Sequence, residues 1–181
     1  KIVKILNDPR IMRMFNKEKL NIYNFKFSLE PGLTRPYLVS YNSELNEVEL
    51  KIREKEVISV GLVAKGMSFA LIADRFNKVI ALFKNKKDIN MVAYRLIDLI
   101  SDIFCINVPR KHNIDMEQFG REHLSLCSKE LENFEFLTPC DAKIVMLAIC
   151  YLNFNYMCFF LPENEKEGIL NKFEALPDKS K

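Results

Sequence analysis

The stretch from Leu137 to Pro162, LTPCDAKIVMLAICYLNFNYMCFFLP, decides how this chain is read. It opens with a helix start signal. Thr138 offers a hydroxyl at the N-cap, Pro139 takes the first helical position, where its missing N–H costs nothing, and Asp141 brings a carboxylate to the place where a capping box puts Glu or Gln. The pattern predicts a helix over 139–152 that ends near Asn153. A strand, FNYMCFFL over 154–161, follows and stops at Pro162. The near-continuous apolar run from Tyr156 to Leu161 suits a strand covered on both faces. Almost no charge interrupts either run, so the region reads as scaffold that builds a surface, with no reaction written in it.

Upstream the same alternation repeats. In DINMVAYRLIDLISDIF, Asp88 is the expected N-cap, and Ile89, Val92, Leu96, Leu99, Ile100 and Ile103 share one face at spacings of three and four. Arg95, Asp98 and Asp102 take the other face, and a short apolar piece, CINV, follows at 105–108. The next helix is expected over 116–131, capped by Asp115 and weakened by Gly120, with a strand NFEFL at 133–137 after it. Units of about 23 to 27 residues that alternate helix and strand bury their faces most economically by stacking with parallel strands.

The amino-terminal half has a different rhythm. The opening KIVKILNDPRIMRMFNKEKL is helix-prone and broken at Asp8-Pro9, because proline disfavours helix in the residue before it. Strand-like runs then follow at 22–29, 35–41, 47–52, 57–66, 68–76 and 78–84, with a turn at Pro31-Gly32. Gly61 and Gly66 fall where a bulge or tight turn is expected. The expected fold class is α+β: an antiparallel β-meander followed by stacked strand–helix units resembling leucine-rich repeats, with parallel strands. The expected division is a helical segment at 1–20, the end of a preceding module, then a single α+β recognition domain at 21–162 and a polar tail at 163–181. The start at Lys1, without an initiator Met, suggests a piece of a longer chain.

Composition sets the outer bounds. With 181 residues, 49% hydrophobic and 28% charged, the chain is long enough for a substantial core and too apolar for disorder. No run of about 18 apolar residues is present, so no membrane span is expected. The five cysteines are an odd count without framework spacing and sit among apolar neighbours. Free buried thiols in a reducing compartment, cytoplasm or nucleus, explain them.

Candidate chemistry is sparse. Only five glycines are present, and none forms GxGxxG or GxxxxGK[ST], which excludes nucleotide binding through those loops. His123 and Cys127 stand at i and i+4, a spacing that can hold a metal, but no further ligands lie nearby in the sequence. Asp98 and Asp102 share a helical face, with Arg95 making a solvated ionic face the simpler reading. Glu163, Glu165 and Glu167 fall in a loop after the expected last strand. No cofactor and no metal is expected. The net charge of +3 is small, but basic residues cluster at 1–26 and at 75–87, and together with fourteen Phe and six Tyr they leave a nucleic-acid- or ribosome-associated binder as the alternative function.

Three segments, NFKFSLEPGLTRPYLVSYNSE, INMVAYRLIDLISDIFCINV and SKELENFEFLTPCDAKIVMLAICYLNFNYMCFFLP, resemble the F-box-associated domain in the carboxy-terminal region of nematode F-box proteins. Asp102-Ile103-Phe104 matches the helix end typical of that layout, and the likeness covers about residues 20–162. The resemblance implies a non-catalytic substrate receptor for a cullin-RING ubiquitin ligase. The domain would hold a target protein, while an F-box ahead of residue 1 would engage a Skp-type adaptor and cullin. Nothing before Asn21 is long enough to be an F-box of about 45 residues; KIVKILN fits only its trailing edge. The contact surface is expected at loops on strand ends, on Arg35 and Tyr37 and on the 109–114 loop with Arg110, Lys111 and His112.

Overall fold

The computed structural model describes residues 2–33, 37–54, 58–83, 90–121, 124, 125, 128, 131, 141–159 and 161–175. It is a mixed α/β structure, mostly helical, with one three-stranded sheet. The chain divides into two compact units, one formed by Lys1–Ala81 with Phe104–Met116 and the other by Leu82–Ile103 with Glu117–Lys181.

The first unit begins with two short helices, α1 (Ile2–Leu6) and α2 (Pro9–Lys17). Asp8 breaks and restarts the chain: its extended backbone ends α1, and its carboxylate accepts the Arg10 backbone N–H at 2.9 Å as the N-cap of α2, with Pro9 in the first turn. Ile11 and Met14 of α2 and Leu20 just beyond it are fully buried, so this segment contributes to the core of its unit.

Strands β1 (Asn24–Glu30), β2 (Tyr37–Asn42) and β3 (Glu47–Arg53) follow, close to the first three expected runs. Their order is β1-β3-β2, with β3 antiparallel to β2 and parallel to β1. This is not a meander, which sets each strand beside its neighbour in sequence. The reason lies in β3: its Val48, Leu50 and Ile52 are all at 1% exposure or less, and such a strand gains most from the central position. β2 and β3 join through a turn in which the Asn42 side chain accepts the N–H groups of Glu44 and Leu45 and Asn46 is left-handed. The outward sheet face is a solvated ionic lattice, with Lys26 on Glu47 at 2.7 Å and Lys51 near Glu30 and Glu49.

Beyond Ile58 the expected strands are helices. α3 (Val60–Phe69) and α4 (Ala73–Phe83) replace the runs read at 57–66, 68–76 and 78–84. Ser59 caps α3 by accepting the Leu62 N–H at 3.1 Å, and residues Gly61–Ser68 are buried on every side of the helix. Gly61 and Gly66 are therefore not turn residues. Neither has positive φ; an added Cβ would lie 2.9 Å from the Asp115 carbonyl oxygen at Gly61 and 2.9 Å from a Leu50 methyl at Gly66. They are close-approach positions between backbone and neighbour.

α5 (Asn90–Lys111) absorbs the piece CINV, which is helical, with Cys105, Ile106 and Val108 buried. The expected apolar face of this helix is only partly inward: Leu99 is buried, while Leu96 and Ile100 are exposed. Residues 117–121 are again helical, as are 124, 125, 128 and 131. The strand expected at 133–137 and the cap at Thr138-Pro139 lie outside the described residues. α6 (Asp141–Cys158) runs straight through Asn153, so the strand expected at 154–161 is helix up to Cys158. α7 (Glu163–Glu174) replaces the polar tail over those residues, with acidic residues in its first turn, Lys172 in its last and Ile169 buried. The leucine-rich-repeat-like stack is thus overturned: a strand leaves its neighbours to satisfy its backbone, whereas α6 satisfies its own and needs no ladder.

Candidate protein-docking surface

The residues expected to bind a partner are dispersed in their environments. Arg35 lies outside the described residues. Tyr37, half-buried at the start of β2, accepts a hydrogen bond from the Lys65 ammonium of α3, and that ammonium also sits 4.7 Å from the Tyr37 ring centroid. The pair lets a lysine enter a buried helix by giving its charge an aromatic face and an acceptor. Arg110 and Lys111 form the last turn of α5 instead of a loop, with Lys111 exposed and an Arg110 Nη1 3.5 Å from Asn107 Oδ1. His112 is buried, and its Nε2 lies 2.8 Å from Glu18 Oε1 at the end of α2. It ties the end of α5 to α2, with left-handed Asn113 ending the helix beside it.

Of the candidate chemical groups, His123 and Cys127 lie outside the described residues. Asp98 and Asp102 are half-buried one turn apart on α5. Glu163, Glu165 and Glu167 are in a helix, not a loop. Glu165 grips the Arg121 guanidinium with both oxygens, at 2.8 and 3.0 Å, and this charged hydrogen bond holds its carboxyl below the usual carboxylate range. Glu163 pairs with Lys166 at 2.5 Å. Three cysteines, Cys105, Cys150 and Cys158, are buried thiols outside any disulfide. Burial pushes the Cys158 thiol up to about 12, and its Sγ–H faces the Gly120 carbonyl at 3.5 Å, so it is an inert packing group. Among the described residues no group of three or more His, Cys, Asp or Glu side chains is placed to hold a metal ion.

The basic clusters are partly neutralised where they are described. Arg10 is held by Asp8 at 2.8 Å, Lys26 by Glu47 and Lys78 by Asp74 at 2.6 Å, while Arg13, Lys17 and Arg75 are exposed.

The feature that chemistry does not explain as scaffold is on α6. One stripe of this helix packs inward: Leu147, Cys150, Phe154 and Cys158 are at 3% exposure or less. The opposite stripe, apart from the exposed Asn155 in its middle, is apolar as well and faces out. Ile144, Val145, Ala148, Leu152, Tyr156 and Phe159 are all exposed, with Leu152 at 44%, Tyr156 at 51% and Phe159 at 48%. Tyr151 flanks it and stacks edge-on against Phe173 of α7, 5.1 Å between centroids, which fixes the ring in place. From Ile144 to Pro162 the sequence contains no charged residue. A helix apolar on both sides is normally buried on both, and a contiguous exposed apolar stripe marks a contact surface. Sequence reading missed it because it assigned the residues after Asn153 to a strand and all apolar side chains to core. Even so, no described helix is long and apolar enough to cross a membrane. No protein-family model, curated protein or solved structure matches the chain.

Proposed function

We propose that this chain is a non-catalytic protein-recognition domain and that the outward stripe of α6 is its docking surface. The observation that carries the reading is the uncharged, exposed face of that helix. Leaving roughly half of several large apolar side chains in water forgoes ~1 kcal/mol for each, a cost that binding removes. Docking of this kind holds a protein in place and raises its effective concentration near another, with no bond chemistry in the domain itself.

In the narrower form of the proposal the domain is the substrate-recognition part of an F-box receptor for a cullin-RING ubiquitin ligase. Its support is the sequence likeness at 24–44, 89–108 and 128–162; the stacked strand–helix units expected with that likeness are not among the described elements. The two levels separate experimentally. Replacing Leu152 and Tyr156 together by Glu should weaken capture of partner proteins by at least about tenfold, because two carboxylates would have to be desolvated in the contact. Unchanged capture by this variant removes α6 as the docking surface. Recovery of a Skp-type adaptor with the full-length protein supports the ligase reading, and its absence leaves only a docking domain.

A further inference from the structure

We propose that the exposed side of residues 3–22 is a contact surface for an anionic lipid bilayer, lying along the membrane–water boundary without crossing it. Other residues than those of α6 carry this, so the two readings stand or fall separately. The first observation is where charge is left over. Elsewhere in the molecule cations sit on carboxylates, as Lys26 does on Glu47 and Arg121 on Glu165. Residues 2–22 contain two carboxylates, and both are spent: Asp8 on Arg10 at 2.8 Å and Glu18 on His112 at 2.8 Å. Lys4, Arg13, Lys17 and Lys19 are exposed, and none has an ion-pair partner among the described residues. The second observation is what lies between these cations. Val3 is 72% exposed, Met12 46% and Ile22 63%, so three aliphatic side chains stand in water on the same short segment. On α2 the direction is fixed: Ile11 and Met14 are buried, while Met12, Arg13, Asn16 and Lys17, three and four apart, form the outward side. α1 packs on α2, and α2 packs on the 3-10 turn Leu20–Ile22.

The mixture of cations and aliphatics selects the occupant. A nucleic acid would take the cations and leave Val3, Met12 and Ile22 in water. It would also find no ring to stack on, because Phe15, the one aromatic residue of 2–22, is half-buried with its centroid 6.2 Å from that of Phe25. An acidic protein segment is a narrow strip, whereas these groups are spread over α1, α2 and the turn that follows. A bilayer surface is broad. It offers anionic headgroups to the cations and, a few ångströms deeper, acyl chains to the aliphatic tips. Lysine and arginine suit that boundary, since their stems lie along the apolar layer while the charge stays among the headgroups. Each cation near such a surface is worth about fivefold in partition, so four together multiply to on the order of 500-fold.

The test is co-sedimentation of the 181-residue chain with vesicles of phosphatidylcholine, alone or with about 30% phosphatidylserine. Partition in about 50 mM sodium chloride should be at least about tenfold higher on the anionic vesicles, and should fall at least about tenfold in about 500 mM. Arg13→Glu, Lys17→Glu should lower it at least about tenfold, while Arg13→Lys, Lys17→Arg should keep it within about twofold. Met12→Ser, Ile22→Ser should weaken vesicle binding about threefold or more and leave any binding to poly(U) or polyglutamate unchanged, because neither polymer has an acyl interior. The Leu152→Glu, Tyr156→Glu chain should bind vesicles within about threefold of wild type. All these positions are exposed, so circular dichroism and urea midpoints that match the wild type separate lost contact from lost fold. No binding, equal partition on the two kinds of vesicle, or binding indifferent to Arg13→Glu, Lys17→Glu overturns the inference. Tighter binding to poly(U) or polyglutamate than to vesicles, indifferent to Met12→Ser, Ile22→Ser, overturns it and gives the surface to a nucleic acid or an acidic protein. Vesicle binding lost in the Leu152→Glu, Tyr156→Glu chain overturns it by moving the lipid contact to α6.

Discussion

Asp8 does three things at one position: it ends α1, caps α2 and holds Arg10. Its carboxylate accepts the Arg10 backbone N–H at 2.9 Å and the guanidinium at 3.0 and 2.8 Å. The side-chain bond to Arg10, helped by the backbone bond and opposed by burial, holds the carboxyl down to about 2 from its ordinary 3.8. A group whose folded pKa is depressed adds stability above its unfolded pKa and loses it as pH falls through the folded one. The Asp8 contribution is therefore complete above about pH 4 and vanishes toward pH 2. Asp8→Ala should lower stability by about 1 kcal/mol at pH 7, a usual loss for an N-cap. Asp8→Asn keeps a capping acceptor without the charge. It should lose less at pH 7 and should flatten the fall between pH 4 and 2, which urea midpoints taken at pH 7, 4 and 2.5 would show. An equal slope in Asp8→Asn and wild type would assign the acid sensitivity to other carboxylates.

At the scale of the element, three glycines in helices separate what a helix wants from what its surroundings allow. Alanine favours helix over glycine by ~1 kcal/mol where nothing interferes. At Gly168 in α7 no atom lies within 4 Å of the new methyl, so Gly168→Ala should stabilise by about 0.5–1 kcal/mol. At Gly66 the obstacle is the tip of Leu50, which can turn, and gain and clash should nearly cancel. At Gly61 the obstacle is the Asp115 backbone carbonyl, and Gly61→Ala should destabilise by about 1–3 kcal/mol. Thermal or urea unfolding of the three variants gives the order directly; a stabilised Gly61→Ala would deny the close packing of α3 on that carbonyl. The same helix shows why part of the fold is hidden in the sequence. β1, β2 and β3 alternate and were legible, as was the break at Asp8-Pro9. α3 is buried all round, so it has no polar face to mark a 3.6-residue period, and a continuous apolar run is as good a strand as a helix. The one local signal that could have marked its start is Ser59, a capping hydroxyl three residues before Leu62, and it lay inside the run read as a strand. α6 is hidden for the opposite reason: apolar on both stripes, it gives no sign of which one is outside, and Asn153 reads as a stop. Asn155, placed in the expected strand, instead returns its side-chain N–H to the Tyr151 carbonyl at 3.1 Å, within the helix.

For the molecule as a whole, the balance between apolar and ionic surface decides how any association responds to salt. The formal charge is only +3, and several described basic side chains are already held by carboxylates at 2.6 to 2.8 Å. Binding to a phosphate backbone would draw on the cations that remain, and its affinity would fall steeply as counterions compete. Contact through α6 has no charge to screen, and added sulfate strengthens apolar burial. Raising sodium chloride from about 50 to 500 mM should therefore leave capture of partner proteins by the wild-type chain within about twofold, and replacing chloride by sulfate should tighten it. Association that instead falls tenfold or more over that range would move the contact from α6 to the basic segments around Arg13, Lys17 and Arg75. The same titration on the Leu152→Glu, Tyr156→Glu chain completes the argument, because a salt-sensitive remnant left in that variant measures what the basic surface contributes by itself.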